Sequence, residues 1–298
     1  MMGFKGRVQG AVRCICITGT AVLWGCSPRP AGDAGNLSPG PAQHSQLANR
    51  IPFFRDRLTS PNVAVRYELM LNIGENLPLP EAEKVLRAMM KDPDAAIRDQ
   101  AVRRLLAVGC PVRPSELPPL FAGVDRADSK ALADFRDKLR GTPKSQPGRE
   151  NESLENNISA PGAAAGYAAQ LLGVLGDETD IPRLEALLNR ENIYVRFTAA
   201  NALINLGAEE SGRKALTAIA DAKSIPDNYF YIRQALLNLH RMGDRNALAN
   251  LASHLKSIES SAEPNARSNY VQGLKALACL TGTWKNSASE WQESLPGR

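Results

Sequence analysis

The sequence has little of what enzymes use for catalysis. It contains three histidines, five cysteines and an aromatic fraction of only 5% in 298 residues. No GxSxG elbow, HExxH helix, Walker loop or GxGxxG turn occurs, and no cysteines have the CxxC spacing of a metal or haem site. His240 and His254 lack a neighbouring ligand cluster, so we expect both to be structural. We therefore predict a protein without catalytic residues, bound metal or cofactor.

The sequence also lacks an apolar run long enough to span a bilayer. Its longest candidate, Cys14–Trp24, has 11 residues, whereas a transmembrane helix needs about 20. Three basic residues (Lys5, Arg7 and Arg13) precede this run, as in an export signal. The run ends in Leu23-Trp24-Gly25-Cys26, which resembles the lipobox of bacterial lipoproteins.

This resemblance implies that residues 1–25 are a lipoprotein signal peptide and that Cys26 carries the lipid. The protein would then be extracytoplasmic and tethered to a bacterial envelope membrane, with the outer membrane or the periplasmic face favoured. An ordinary cleaved signal peptide followed by an incidental cysteine is the alternative. Residues 26–50 are rich in Pro, Gly, Ser and Asn, which predicts a flexible linker after the anchor.

The chain has no large excess of either charge once the signal peptide is set aside. The full chain has 36 Lys and Arg against 31 Asp and Glu, and three of the basic residues lie in the signal peptide. The remaining chain is close to neutral. Nucleic-acid binding needs a concentrated basic face, so we predict no nucleic-acid partner.

What the sequence does contain is an internal repeat. Residues 168–177 (AAQLLGVLGD) and 199–208 (AANALINLGA) superpose with a shift of 31 residues. A Val/Ile-Arg pair recurs with apolar residues behind it and a closing glycine. The arginines are Arg66, Arg98, Arg196 and Arg233, and the glycines are Gly74, Gly109, Gly207 and Gly243. The best copy predicts two helices at 181–190 and 193–206, with Asp180 as N-cap of the first. Such a pair buries its apolar faces only by stacking on neighbouring pairs.

These residues resemble the HEAT repeat, in the short form named after phycobilisome-lyase HEAT-like repeats. The resemblance implies an all-α fold, an α-solenoid of stacked helical hairpins. It places N-terminal repeats at 51–109 and C-terminal repeats at 161–298. Between them, 110–160 departs from the pattern, with one helix expected at 128–140 and a disordered loop at 141–161. Trp284 and Trp291, seven residues apart and so expected on one helical face, would cap the last repeat, with ligand stacking as the alternative.

The repeated arginines have two interpretations. As a structural ladder, Arg66, Arg98, Arg196 and Arg233 would bond to carbonyls between repeats and to acidic turn residues such as Asp92 or Asp94. The alternative is a basic track for an acidic partner. Cys110 and Cys279 are expected to be two buried thiols, although a disulfide between them remains open.

A cluster of aromatic residues points to a partner. Tyr194 and Tyr231 each precede a Val/Ile-Arg pair, and Phe197 and Asn201 lie on the same helix as Tyr194. Second helices of such repeats line the concave face, so Tyr194, Phe197, Asn201 and Tyr231 could form an exposed protein-binding patch. Filling of gaps between repeats is the alternative. We predict a non-catalytic, membrane-tethered scaffold with an unidentified protein partner. A lyase-like enzyme accessory and a purely structural envelope component are the alternatives.

Overall fold

A computed structural model describes residues 56–76, 79–141, 157–222 and 228–295. The signal peptide, Cys26, the linker at 26–50 and most of the loop at 141–161 lie outside these residues. Within them, no helix has the length and apolar character needed to cross a bilayer.

The described chain is built almost entirely from helices. In order they are α1 (Val63–Asn76), α2 (Leu79–Met89), α3 (Ala95–Ala107), α4 (Ser129–Arg140), α5 (Ala163–Leu175), α6 (Ile181–Leu187), α7 (Ile193–Asn205), α8 (Glu209–Ala220), α9 (Tyr229–Arg241), α10 (Ala247–Ile258), α11 (Pro264–Thr281) and α12 (Ala288–Ser294). Short 3₁₀ turns occur at Pro114–Glu116 and Glu178–Asp180. The helical content agrees with the predicted all-α class.

A small β-hairpin interrupts the helices. Strands β1 (Leu120–Phe121) and β2 (Val124–Asp125) pair antiparallel, with Leu120 opposite Asp125. The two residues between them, Ala122 and Gly123, both have positive φ, as a tight hairpin turn requires. The sequence predicts an irregular region with one helix here, and the hairpin was not predicted.

Side-chain caps explain where several helices begin. The carboxylate of Asp94 accepts bonds from the amides of Ala96 and Ile97 at the start of α3. Asp128 caps α4 and Asn192 caps α7 in the same way. These bonds satisfy amides that have no partner inside the helix.

Three of the four predicted closing glycines end their helices in left-handed conformation. Gly109, Gly207 and Gly243 have φ of 74°, 91° and 86°. Gly74 does not fit, because α1 continues through it to Asn76. The expectation that Gly74 ends this helix was therefore wrong.

The helices form antiparallel hairpins that stack in series, as an α-solenoid requires. The pairs are α2/α3, α4/α5, α6/α7, α8/α9 and α10/α11, and the second helices α5, α7, α9 and α11 lie side by side. Small residues allow this close approach. A methyl group at Gly173 of α5 would lie 2.7 Å from the Cα of Ala202 of α7.

The hydrophobic core is divided into three clusters that follow the chain. The first runs from Leu69 in α1 to Leu203 in α7, the second lies between α7, α8, α9 and the start of α10, and the third occupies α9 to α12. The stack also curls back on itself, because α11 packs against α2. This end-to-end approach was not predicted from the sequence.

Candidate interaction site

Two of the four repeat arginines are fully engaged inside the solenoid. Arg66 in α1 donates through Nε and Nη2 to the carboxylate of Asp92, at 2.7 and 3.0 Å, and through Nη1 to the Ser60 carbonyl. The hydrogen bond with Asp92 raises the pKa of Arg66. Arg98 donates to the backbone carbonyls of Asp92 and Pro93, at 2.6 and 2.8 Å. Both arginines therefore stabilise turns between helices through hydrogen bonds.

The other two arginines lack such partners. Arg196 in α7 is half-buried, and its Nε is buried without a hydrogen bond in the described part of the chain. Arg233 in α9 is 7% exposed and, within the described residues, donates to the Asn269 carbonyl at 3.3 Å. Its guanidinium lies 5.5 Å from the centre of the Phe230 ring. No carboxylate among the described residues pairs with it. Burial lowers the pKa of Arg233 to about 10, so it is still a cation at neutral pH.

Two further buried polar atoms, on α10 and α11, also lack a hydrogen bond within the described residues. Nε2 of His254 and Oδ1 of Asn269 are buried and make no hydrogen bond within the described residues, although both side chains are only half-buried overall. The His254 ring lies beside that of Tyr229, with centroids 6.2 Å apart. Burial and the neighbouring Arg233 charge lower the pKa of His254 to about 4. Arg233 is therefore packed among residues of α9, α10 and α11.

The aromatic residues form a packed row rather than an exposed patch. Phe197 is 0% exposed, so its assignment to an exposed binding patch was wrong; its ring lies 5.5 Å from that of Tyr231, inside the second core cluster. Tyr194 and Tyr231 are half-buried, with ring centroids 6.1 Å apart. Burial raises the pKa of both, in the case of Tyr231 to about 12. Tyr194 fits because Gly166 of α5 leaves room: a methyl group there would lie 2.6 Å from Cε1 of the ring.

Asn201 is also engaged within the protein. Its Nδ2 donates to the Phe197 carbonyl, and its Oδ1 accepts from Nδ2 of Asn238, at 3.0 Å. Asn238 in turn accepts from Arg241 at 2.7 Å. Both ends of the Asn201 amide therefore have partners within the protein, which does not favour its predicted contact with a partner protein.

The bond network continues to the N-terminal repeats. Arg241 donates to Glu83 of α2 at 3.0 Å and to Sγ of Cys110 at 3.4 Å, and Sγ of Cys279 in α11 lies 2.5 Å from Oε2 of Glu81. We call these contacts between the two ends of the solenoid the seam. Both cysteines are free thiols, so the alternative of a disulfide between them is not realised. Burial raises the pKa of each to about 12.

The C-terminal tryptophans lie in the last core cluster but not on one helix. Trp291 in α12 is 1% exposed, whereas Trp284 lies in the loop before α12 and packs against the same cluster. The expectation of a shared helical face was wrong because α11 ends at Thr281 and α12 begins only at Ala288. Trp291 covers the apolar end of the last hairpin, whereas the ring nitrogen of Trp284 bonds to Asn286 at 3.3 Å.

Sequence reasoning missed a salt-bridge cluster at Asp180. Asp180 is the N-cap residue of α6, as predicted, but its side chain makes no capping bond. It is 0% exposed, pairs with Nε of Arg140 at 2.7 Å and accepts from the amide of Asp177. Asp177 also pairs with Arg140, at 3.1 Å. The cluster ties α4 to the turn before α6. Its partners lie about 40 residues apart, so no local pattern could reveal it.

Comparison with known proteins agrees with this architecture. Residues 51–135 match the family model of HEAT repeats. No curated protein and no solved structure matches the chain significantly. The match spans the N-terminal repeats, the β-hairpin and part of α4. The later repeats are assigned from the stacking of their helices. Taken together, the match and the stacked hairpins define an all-α solenoid with HEAT-like repeats. The described residues contain no group of three or more His, Cys, Asp or Glu arranged to hold a metal.

Proposed function

We propose that this protein is a non-catalytic scaffold that binds another protein through the surface of α7 and α9. HEAT repeats commonly mediate protein–protein contacts, because their stacked helices present extended surfaces. The observation that carries the proposal is the stack of helical hairpins, in which Tyr194 of α7 and Tyr231 of α9 contact each other and each remain partly exposed. Tyrosine and arginine are enriched at interface hot spots.

The absence of catalytic function is part of this proposal. The described cysteines have pKa values near 12, so both are protonated thiols at neutral pH and poor nucleophiles. The low pKa of His254 keeps its imidazole uncharged at that pH, and no carboxylate of the described chain bonds to it. These features support a binding role over a lyase-like one.

Cross-linking and affinity capture from membranes test the binding surface. Wild type should recover a specific protein, and Tyr231→Ala should lose it. Tyr67→Ala is the matched control, because Tyr67 is 37% exposed on α1, away from α7 and α9. Equal recovery by wild type and both variants would rule out the α7/α9 surface as the contact.

We further propose that a lipid on Cys26 holds the scaffold at an envelope membrane. The support is the basic, apolar and Gly-Cys pattern of residues 1–26. Cys26→Ser should move the protein from the membrane fraction to the soluble fraction, since acyl-chain burial supplies the anchoring energy. Cys16→Ser controls for the general loss of a cysteine. Retention of the Cys26→Ser variant at the membrane would refute the lipid anchor.

A further inference from the structure

We propose that Arg241 is a clasp that holds the two ends of the solenoid together, and that the contacts of the seam open and close as one unit. The protein then has the closed form described above and an open form in which α2 and the end of α3 separate from α9 and α11. The ionic strength of the solution shifts the balance between the two forms. This inference concerns the chain itself and does not depend on the proposed protein partner.

Arg241, the last residue of α9, joins that helix to α2 and to the turn after α3. Its Nη2 donates to Oε2 of Glu83 at 3.0 Å and to Sγ of Cys110 at 3.4 Å. Its Nη1 donates to Oδ1 of Asn238 at 2.7 Å and to the carbonyl oxygen of Gly109 at 3.5 Å. Three of these partners precede Arg241 by 131 to 158 residues. A single side chain therefore connects segments that are remote in sequence.

The contacts that span the seam are polar and partly exposed. Among the described residues, no buried apolar residue of α9 or α11 belongs to the first core cluster, which contains those of α2 and α3. The half-buried Phe230 packs against that cluster, but it lies at the opposite end of α9 from Arg241. The side chains of Arg241 and Glu83 are 28% and 19% exposed. An ion pair exposed to this extent is weak, and salt weakens it further.

The other contacts of the seam lie where the same movement breaks them. Sγ of Cys279 in α11 donates to Oε2 of Glu81, two residues before Glu83 on α2. At the end of α3, a methyl group on Gly109 would lie 2.2 Å from Nδ2 of Asn238 of α9. Since α2 and α3 form one hairpin, a shift of that hairpin away from α9 and α11 breaks all these contacts together. Hairpins of a solenoid contact mainly their neighbours, so small shifts between successive hairpins can supply this movement.

The rate at which iodoacetamide labels Cys279 tests whether the seam opens as one unit, because Cys279 bonds to Glu81 rather than to Arg241. The full chain is labelled in about 0.1 M and about 1 M NaCl, between which the screening length falls from about 10 Å to about 3 Å. Mass spectrometry of peptides measures the rate at each cysteine. Iodoacetamide is uncharged, so salt acts on the protein. We expect the higher salt to speed labelling of Cys279 by up to about fivefold, which corresponds to a loss of about 1 kcal/mol.

Neutralising either member of the ion pair should have the effect of salt. Arg241→Met and Glu83→Gln should each label Cys279 up to about fivefold faster than wild type at the lower salt concentration, and should lose most of the salt dependence. Glu116→Gln is the matched control, because Glu83 and Glu116 both pair with Arg87 but only Glu83 pairs with Arg241. Its labelling rate should equal that of wild type.

The double charge reversal Glu83→Arg/Arg241→Glu tests the pair directly. It places opposite charges at the two positions again, so it should label Cys279 more slowly than either single reversal. Equal rates in the double and single reversals would overturn the clasp.

Two further results would also overturn it. If Arg241→Met sped labelling of Cys110 while Cys279 kept its wild-type rate, the contacts of the seam would open independently. If wild type showed no salt dependence at Cys279, or if Arg241→Met kept the full dependence, the ion pair would not control the opening. The salt series on the wild-type protein remains decisive even where a variant fails to fold.

Discussion

At the scale of single residues, arginines at the same position of two different repeats differ in whether a carboxylate pairs with them. Arg66 is buried with its counter-ion, whereas Arg233 is buried and no carboxylate of the described residues pairs with it. Removing one member of a buried ion pair leaves the other charge uncompensated, whereas removing an unpaired buried charge relieves a desolvation cost. The same substitution should therefore change the free energy of unfolding in opposite directions at the two sites.

Arg66→Met should lower the free energy of unfolding, because Asp92 would remain buried and charged. Arg233→Met should raise it by about 1 kcal/mol, because methionine packs in the same volume without a charge. Urea denaturation followed by circular dichroism measures both, with unchanged m-values as the check on two-state unfolding. A loss of several kcal/mol in Arg233→Met would show that this arginine is structurally paired after all.

His254 should make stability depend on pH in a defined window. Its pKa of about 4 in the folded protein lies below the usual value of about 6.5, which we take for the unfolded chain. Between these values the unfolded state binds more protons, so the free energy of unfolding falls as pH decreases from about 6.5 to 4, by up to about 3 kcal/mol. The groups facing the imidazole are Arg233 and Tyr229, and neither gains a proton in that window.

Urea denaturation at a series of pH values measures this slope. His254→Asn should flatten it, while His240→Asn should keep the wild-type slope because His254 is still present. If His254→Asn retained the full slope, carboxylates elsewhere would have to account for it.

At the scale of elements, the sequence predicted those helix bounds that depend on residues close together in the chain. Helix α7 was expected at 193–206 and spans Ile193–Asn205, because its cap, its alanine face and its terminal glycine all lie within the repeat. The positions of Phe197 and Asp180 could not be derived this way. Phe197 is buried by Tyr231 of the next repeat, and Asp180 is held by Arg140, across the loop at 141–161. Partners so far away in sequence leave no periodic signal. For the same reason the sequence places Tyr194, Phe197 and Tyr231 on neighbouring repeats but does not reveal how exposed each side chain is.

The glycine after α3 should be more sensitive to substitution than the glycine after α7. Gly109 and Gly207 both have positive φ, so alanine costs about 1 kcal/mol of backbone strain at either position. Around Gly207 no atom lies within 4 Å of an added methyl group, whereas at Gly109 that group would lie 2.2 Å from Nδ2 of Asn238.

We therefore expect Gly109→Ala to lower the free energy of unfolding by about 2 kcal/mol more than Gly207→Ala, through overpacking against Asn238. Chemical denaturation of the two variants side by side measures the difference. If the two variants lost equal stability, the contact between the end of α3 and α9 would contribute nothing.

At the scale of the whole molecule, the ends of the solenoid meet through polar contacts. The buried residues of α2 belong to the first core cluster and those of α11 to the third, so no apolar cluster of the described residues bridges these two helices. The seam is made of Glu81–Cys279, Glu83–Arg241 and Arg241–Cys110. Glu83–Arg241 is the ion pair among these contacts, and a partly exposed ion pair contributes only about 0–1 kcal/mol, so the polar contacts add little to the stability of the seam.

Arg241→Met should loosen the seam and expose its thiols. We expect iodoacetamide to label Cys279 and Cys110 several times faster than in wild type, because the seam then opens more often, and reactivity depends on access. Mass spectrometry of peptides assigns the label to each cysteine. Arg245→Met, an exposed neighbour, is the control and should label at the wild-type rate. Unchanged labelling in Arg241→Met would mean that packing of α11 on α2 alone closes the ends.

The serial arrangement of the three core clusters sets an order of assembly during biosynthesis. The first cluster draws its buried residues from Leu69 to Leu203, so it can form while the C-terminal third of the chain is still being made. Cys279 and its contact with Glu81 become available only near the end of synthesis. The seam can therefore close completely only when synthesis of the chain is finished. A truncated product would leave the N-terminal hairpin open to chaperones and proteases.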